Sequence, residues 1–242
     1  MAARRIVITL GLLIVLAAPA RGEATLGIQG LLIQGTHSDQ ITSTPLVGAA
    51  ALLEAKQRFR YFDIDVEGAP STGAHGYLSS SGLNGQAFTS FSVLNSVAHA
   101  RLGPTGRYWA GGGVTVINQI TAVGAQQFSA ASRLAGGRYQ AVVELPVGPH
   151  GILELRAADM PSLHGSLSFA LGGFQLPANQ FTSETAEATD WSAAYTLRST
   201  HFAYSLGFRS INYIAYFVTP HELADRNVVY GPTLEVRWII AK

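Results

Sequence analysis

Hydrophobic and polar residues alternate along residues 138–159. The residues of one face are aliphatic or aromatic: Tyr139, Ala141, Val143, Leu145, Leu153, Leu155 and Ala157. The residues of the other face are charged or amide-bearing: Arg138, Gln140, Glu144, Glu154 and Arg156. A two-residue period is typical of β-strands, and the Gly-Pro-His-Gly stretch at residues 148–151 is typical of a tight turn. The pattern predicts an antiparallel hairpin with one apolar and one charged face.

The same alternation recurs in eight further segments of the chain. They cover about residues 24–35, 49–57, 60–67, 87–102, 107–120, 191–197, 201–217 and 230–238. The second arm of the hairpin continues past Pro161 to residue 171, and we expect a bulge or an edge at Pro161 because proline has no amide hydrogen for the ladder. We therefore predict an all-β fold of about ten antiparallel strands, with eight or twelve as alternatives.

Short and long connections follow one another in strict order. The short links lie near residues 58, 104, 149 and 199, and the long polar loops are predicted at 36–47, 68–86, 121–133, 172–187 and 218–227. This order predicts an up-and-down meander whose two ends lie on the short-turn side. An even strand number, short turns at one end and long loops at the other are typical of transmembrane β-barrels. We predict one such barrel over residues 21–242.

Aromatic residues gather near both ends of the predicted strands. The set near the short turns is Tyr61, Tyr108, Trp109, Phe202 and Trp238. The set toward the loops is Phe88, Phe169, Trp191, Tyr213 and Tyr230. Two aromatic belts that flank a band of aliphatic residues are typical of two lipid–water interfaces, which indicates that the apolar face contacts outer-membrane lipid. The alternative is a soluble periplasmic barrel whose apolar face surrounds a ligand.

The opposite face of the strands carries charges of both signs. We expect these side chains to form a polar network in the lumen: Glu54, Lys56, Asp63, Asp65, Glu67, Arg138, Glu144, Glu154, Arg156, Arg209, Glu235 and Arg237. A ten-stranded barrel has a small interior that side chains largely fill. Because isolated carboxylates are costly in such an interior, we expect them to pair with arginines. A water path that passes small ions is the alternative.

The first 20 residues have the pattern of a cleavable signal peptide. Arg4 and Arg5 precede an uncharged stretch of 12 residues, 6–17, and Ala18-Pro19-Ala20 supplies small residues for cleavage. Twelve residues rise about 18 Å as a helix, which is too short for a hydrocarbon core of about 30 Å. The sequence therefore predicts export to the cell outer membrane, with residues 21–242 as the mature protein.

The composition narrows the classes of partner and site. Removal of Arg4 and Arg5 lowers the 16 basic side chains to 14, against 15 acidic ones, so the mature chain lacks the basic surface that nucleic-acid binding needs. The chain has no cysteine, which excludes disulfides and thiolate metal sites. Charged residues make up 13% of the chain, against about 25% in soluble domains. This low charge favours a surface that largely meets lipid.

These features together resemble the small Gram-negative outer-membrane β-barrel proteins, over the whole mature chain. Residues 230–238, Tyr-Gly-Pro-Thr-Leu-Glu-Val-Arg-Trp, are similar to the last strand of those proteins, which the barrel assembly machinery recognises. The chain ends on Lys242 where that family usually has an aromatic residue, so Trp238 or Ile240 is the substitute that the resemblance implies. The resemblance concerns architecture and selects no subfamily.

A search for catalytic chemistry finds histidines on the loop side but no complete motif. They are His37 with Asp39, His75, His164 with Asp159, and His221 with Glu222 and Asp225. A histidine beside a carboxylate can act as a general base, as in the surface proteases and lipid A-modifying barrels that the chain resembles. Residues 208–213, however, lack the histidine beside a Ser-Asn pair that lipid A deacylases carry.

No zinc-protease or nucleophile-elbow motif occurs in the chain, so we predict no metal, no cofactor and no enzyme activity. The predicted role is structural, surface-interacting or that of a small porin-like pore. An outer-membrane surface enzyme that acts on lipid A or peptides is the alternative.

Overall fold

The computed structural model describes the backbone of residues 22–39, 43–80, 83–123, 128–171, 174–217 and 223–241. The predicted signal peptide, residues 1–20, lies outside this part of the chain. The described residues form eleven β segments: β1 (Glu23–Asp39), β2 (Ser43–Arg58), β3 (Phe62–Ser80), β4 (Leu83–Leu102), β5 (Tyr108–Val123), β6 (Phe128–Val147), β7 (Gly151–Met160), β8 (Leu163–Leu171), β9 (Phe174–Arg198), β10 (Phe202–Phe217) and β11 (Leu223–Ala241).

The segments close into a barrel of ten strands. β7 and β8 are two parts of one strand, because both pair with β6 on one side and with β9 on the other. Pro161 and Ser162 separate the two parts, at the break that the sequence predicts. β11 pairs with β10 and also with β1, so the sheet has no free edge. The prediction of an all-β, up-and-down antiparallel barrel is confirmed.

The strands are much longer than the alternation predicts. β3, β4 and β9 have 19, 20 and 25 residues, although about 9–11 residues suffice to cross a membrane. The long-loop predictions are therefore wrong over most of their length; residues 68–80 and 83–86, for example, belong to β3 and β4. The physical reason is that Gly- and Ser-rich strands with polar residues on both faces show no alternation but still form a hydrogen-bonded ladder.

Two of the short turns depend on glycine. Gly103, between β4 and β5, has φ 72°, and Gly148, between β6 and β7, has φ 73°. These angles lie in the left-handed region, where a Cβ atom clashes with the following carbonyl and glycine is favoured. The tight turns that the sequence predicts near residues 104 and 149 are thus encoded by single residues.

The outer face of the described barrel is apolar between two groups of aromatic rings. On the side of this apolar band that faces the loops, Trp191 stacks on Phe208 and Phe208 on Tyr230, with ring centroids 5.6 and 6.2 Å apart. At the turn end, Phe202 lies opposite Trp238. The eight steps from Tyr230 to Trp238 span about 26 Å along the strand, or about 20 Å of height at the usual tilt. Among the described residues there is no helix long and apolar enough to span a membrane.

The structure places the predicted belt residues on both sides of the wall. Most of them are exposed on the outside: Tyr61, Tyr108, Phe202, Trp238, Phe88, Trp191 and Tyr230. Trp109 and Tyr213 instead point into the lumen and are buried, so their assignment to the belts is wrong. Trp109 follows the outward Tyr108, and neighbouring strand residues face opposite sides. The side chain of Phe169 lies outside the described residues.

A pair of adjacent residues on β10 tests which side of the wall meets lipid. Leu206 is 65% exposed on the outer face, whereas Ser205 is 3% exposed inside. A spin label on Leu206→Cys, in lipid vesicles, should collide with dissolved oxygen, because oxygen concentrates in hydrocarbon.

A label on Ser205→Cys should be shielded from oxygen and reached only by a water-soluble nickel complex. The ratio of the oxygen collision rate to the nickel collision rate should be at least about threefold higher for the label at position 206 than for the label at position 205. The reverse order of accessibilities would contradict the arrangement of faces.

Candidate functional site

The lumen contains a network of ion pairs at its turn-end half. The network comprises the twelve predicted residues together with Arg58 and Asp190: Glu54, Lys56, Arg58, Asp63, Asp65, Glu67, Arg138, Glu144, Glu154, Arg156, Asp190, Arg209, Glu235 and Arg237. Each occupies an inward position, because inward residues of neighbouring strands recur every second residue and the register aligns them. We call this set the charged network.

Arg209 of β10 donates five side-chain hydrogen bonds, more than any other described cation of the network. Its Nη1 and Nη2 each donate to a carboxylate oxygen of Glu67 at 2.7 Å. Its Nε and Nη2 donate to the two oxygens of Asp190 at 3.0 and 2.7 Å, and Arg138 donates to Asp190 as well, at 2.7 Å. Bidentate guanidinium–carboxylate pairs are among the strongest hydrogen-bonded contacts in proteins. Arg209 thus links β10 to β3 on the far wall of the lumen and to the neighbouring strand β9.

Arg156 and Arg237 form a second centre around Glu54. Arg156 donates to Glu54 and to Glu154, both at 3.1 Å. Arg237 lies 3.1 Å from the other oxygen of Glu54 and donates to both oxygens of Glu235 at 2.6 and 2.9 Å. Since β7 and β2 lie five strands apart in a ring of ten, the Arg156–Glu54 pair crosses the full width of the lumen.

A third group of contacts lies nearest the short turns. Arg58 holds both oxygens of Glu144, at 2.5 and 3.1 Å, and its guanidinium lies 4.7 Å from the ring centroid of Trp109. Asp63 receives a hydrogen bond of 2.6 Å from His99, with Lys56 at 3.5 Å. Arg198 pairs with Glu23 beside them. The inward Trp109 therefore provides a ring surface for the cation that closes this end.

Above the charged network the inward face becomes apolar. A continuous cluster lies there: Leu31, Ile33, Leu46, Ala50, Leu52, Ala69, Phe91 and Val229. A second cluster on the other wall includes Ile117, Leu134, Met160 and Tyr213. The sequence reading expects a polar lumen throughout, and it misses this layer because runs such as Leu31-Leu32-Ile33 are apolar on both faces. The lumen therefore has a charged layer near the short turns and an apolar layer above it.

A polar cluster with one histidine occupies the loop-end part of the lumen. His37 Nδ1 lies 2.9 Å from Asn227 Oδ1 and 3.4 Å from Asp225 Oδ1. The sequence pairs His37 with Asp39 and places Asp225 with His221, so the carboxylate close to His37 comes from a segment that sequence proximity does not indicate.

The other loop-side histidines show no such arrangement among the described residues. His164 is exposed and lies 3.3 Å from Ser162, and its predicted partner Asp159 shows no contact with it. The side chains of His75 and His221 lie outside the described part. Within that part there is also no group of three or more His, Cys, Asp or Glu side chains suited to a metal ion.

Burial of the network residues shows how well the sequence predicts the inward positions. Glu144 and Arg237 are only partly buried, whereas the other ten predicted residues are buried. Asp190 is missed because the alternation is read only from Trp191 onward, although its place one residue before an outward aromatic is a usable signal for an inward carboxylate.

Comparisons with known proteins identify the fold. No family model and no curated protein matches the chain. Among solved structures, the outer membrane protease OmpT from Escherichia coli superposes with a TM-score of 0.60 at 9% identity, over 92% of this chain and 99% of that one. Neisserial surface protein A gives 0.42 at 12% identity, over 89% and 96%. The translocator domain of the autotransporter NalP from Neisseria meningitidis gives 0.47 at 9%, over 98% and 97%.

The chain therefore has the architecture of Gram-negative outer-membrane β-barrels, as the sequence resemblance implies, and these identities carry no activity over to it.

Replacement of the central arginine tests the energetics of the charged network. Arg209→Ala leaves Glu67 and Asp190 facing each other without that cation, which should lower the free energy of unfolding by about 3–5 kcal/mol. Urea unfolding in lipid vesicles measures the change. Arg226→Ala, at an exposed position of β11, is the control and should shift stability by less than about 0.5 kcal/mol. Equal effects of the two substitutions would show that the network does not hold the strands.

Proposed function

We propose that the protein is a closed, non-enzymatic barrel of the cell outer membrane with a structural and surface-interaction role, rather than a pore. The observation that supports this role is the set of ion pairs that join opposite walls of the lumen, Arg156 with Glu54 and Arg209 with Glu67. A solute that passes between the turn end and the loop end would have to separate these pairs.

The space left between the network side chains also favours a closed lumen. A cavity of about 50 Å³ lies at the turn end of the network, beside Arg58 and Glu144. The two cavities deeper in the network, near Glu54 and Asp65, have volumes of only about 10 Å³ each. A volume of this size corresponds to about one water molecule. Separation of a buried ion pair leaves uncompensated charges and costs about 3–5 kcal/mol. Spontaneous opening wide enough for a hydrated ion requires several such separations at once.

Export and assembly belong to the same proposal. The leader at residues 1–20 directs the chain across the inner membrane, and the barrel assembly machinery then recognises the terminal strand β11. Within β11, Leu234, Val236 and Trp238 are exposed on the outer face, where an assembly factor or lipid can contact them. The long strand extensions carry the loop end beyond the bilayer, because β3, β4 and β9 exceed the length that a membrane crossing needs. Surface contacts with other molecules are therefore expected at that end.

Conductance in a planar lipid bilayer tests the closed state. The wild-type protein should give no stable ion-conducting steps, because the network fills the lumen. The triple variant Glu54→Ala, Glu154→Ala, Arg156→Ala removes the contacts between β2 and β7 and should conduct at least about tenfold more often.

The control for the triple variant is Glu187→Ala with Arg226→Ala, which alters two exposed charges and should remain silent. Steady porin-sized steps in the wild type would refute the proposal.

A surface enzyme is the second candidate function, and the His37–Asp225 contact at the loop end favours it. A carboxylate beside one ring nitrogen orients a histidine and raises its capacity as a general base. If the protein cleaves a lipid or a peptide, His37→Ala and Asp225→Asn should each lower turnover at least about a hundredfold. His164→Ala, at an exposed position, should leave it unchanged. Turnover that survives both substitutions would exclude this dyad.

A further inference from the structure

The apolar layer of the lumen contains a partly open cavity directly above the charged network. Its volume is about 30 Å³, and the residues around it include Ala50, Leu52, Ala69, Phe91 and Ile211. Cavities lined by apolar side chains stay dry and take up apolar molecules. The small side chains of Ala50 and Ala69 leave room beside the ring of Phe91. The chemistry of these walls suits a hydrocarbon group.

The floor of this cavity is charged. On each of three strands, the next inward residue toward the turn end belongs to the charged network. Glu54 follows Leu52, Glu67 follows Ala69, and Arg209 follows Ile211 in that direction. An apolar group in the cavity is therefore stopped from moving toward the turn end, because it would have to displace paired charges. Entry must come from the loop end or through the wall.

The wall beside the cavity contains a register shift. β2 and β3 are paired at Ala49 with Gly73 and at Leu53 with Gly68, and the register shifts between these pairs, because three residues of β2 (50–52) lie opposite four of β3 (69–72). β3 also bulges against β4 here, since Ala69 pairs with Val93 but Thr72 with Phe91. Pro70, inside the bulge, has no amide hydrogen to donate.

The stretch with the register shift faces the lipid on the outside. On β2, Val47 and Leu53 flank it and are exposed on the outer face. Ala50 and Leu52 from the same stretch line the cavity on the inside. Backbone groups at hydrocarbon depth are normally all paired, because each unpaired group costs several kcal/mol. A register shift thus lies between lipid-facing and cavity-lining residues of β2 and β3; the pairing of β1 with β11 also skips residues 32–33 and 231–232, but its register continues there without a shift.

We propose that this cavity binds an alkyl chain that enters from the surrounding lipid through the stretch of β2 and β3 where the register shifts. The end of the chain lies beside Phe91 and above the charged floor, and the following methylene groups occupy the opening in the wall. This binding site goes beyond the closed-barrel role, because it requires no passage through the lumen. The alkyl chain belongs either to a free hydrocarbon or to a membrane lipid.

Isoleucine methyl groups provide probes inside and outside the site. Ile117 and Ile211 border the cavity, whereas Ile152 and Ile239 border a separate space at the turn end. In nanodiscs with ¹³C-methyl-labelled isoleucine, added hexane should shift the resonances of Ile117 and Ile211 and leave those of Ile152 and Ile239 in place. A second sample, with a lipid spin-labelled at the end of its acyl chain, distinguishes the two sources.

Broadening of Ile117 and Ile211 by the labelled lipid identifies a lipid chain as the occupant, and a hexane shift without broadening identifies a free hydrocarbon. The absence of both effects at Ile117 and Ile211 would overturn the proposal, and so would equal hexane shifts at all four isoleucines.

Two variants test the cavity and its entrance independently of each other. Ala69→Phe fills the cavity and should abolish the hexane shifts. Deletion of Pro70 leaves three residues of β3 opposite three of β2, and one residue of β3 opposite one of β4. The regular register should return on both sides of β3, and hexane exchange should slow at least about tenfold. Ala141→Phe, at an exposed position on β6, is the size-matched control.

Heat-dependent gel mobility establishes that each variant forms a barrel. Hexane shifts that persist in a folded Ala69→Phe variant would overturn the site, and wild-type exchange after deletion of Pro70 would overturn the entrance.

Discussion

A chain that crosses hydrocarbon finds no water for its amide and carbonyl groups, so the backbone ladder has to satisfy them all. The pairing of β11 with β1 meets this requirement by joining the two ends of the meander. An even number of strands then places both termini on the short-turn side, and the tight turns at Gly103 and Gly148 hold neighbouring strands in antiparallel register. The register of β2 with β3 shifts between Ala49 and Leu53, and this shift lies beside the apolar cavity.

The pleat converts the closed ladder into two separate environments. Alternate residues face lipid, where Trp191, Phe208 and Tyr230 stack, and the residues between them face the lumen. Charges inside so narrow a space lose much of their hydration, which only close pairing offsets. Arg209 contacts Glu67 and Asp190, and Arg156 contacts Glu54 and Glu154. Because Glu67, Asp190 and Glu54 lie on other strands than the arginines that contact them, these pairs also resist slippage of one strand along another.

The layers of the lumen have different physical properties. The charged network occupies the turn-end half, apolar side chains form the layer above it, and the His37 cluster places hydrogen-bonding groups near the loop end. A uniformly polar lumen would favour a water-filled pore, and a uniformly apolar one would resemble a soluble core. The observed order instead combines a charged base with an apolar chamber, which supports the proposals of a closed barrel and of a site for a hydrocarbon group.

The sequence by itself determined the strand order, the turn positions, the break at Pro161 and the inward side of most charged residues, because a two-residue period and turn glycines are local signals. Only the tertiary structure decided which charges meet. Glu54 contacts Arg156 from the opposite wall, Asp190 joins Arg209, and His37 meets Asp225 rather than Asp39. Those contacts depend on closure and register, which are long-range properties. The lengths of the strands were decided in the same way, since the ladder continues where polar residues on both faces leave no alternation to read.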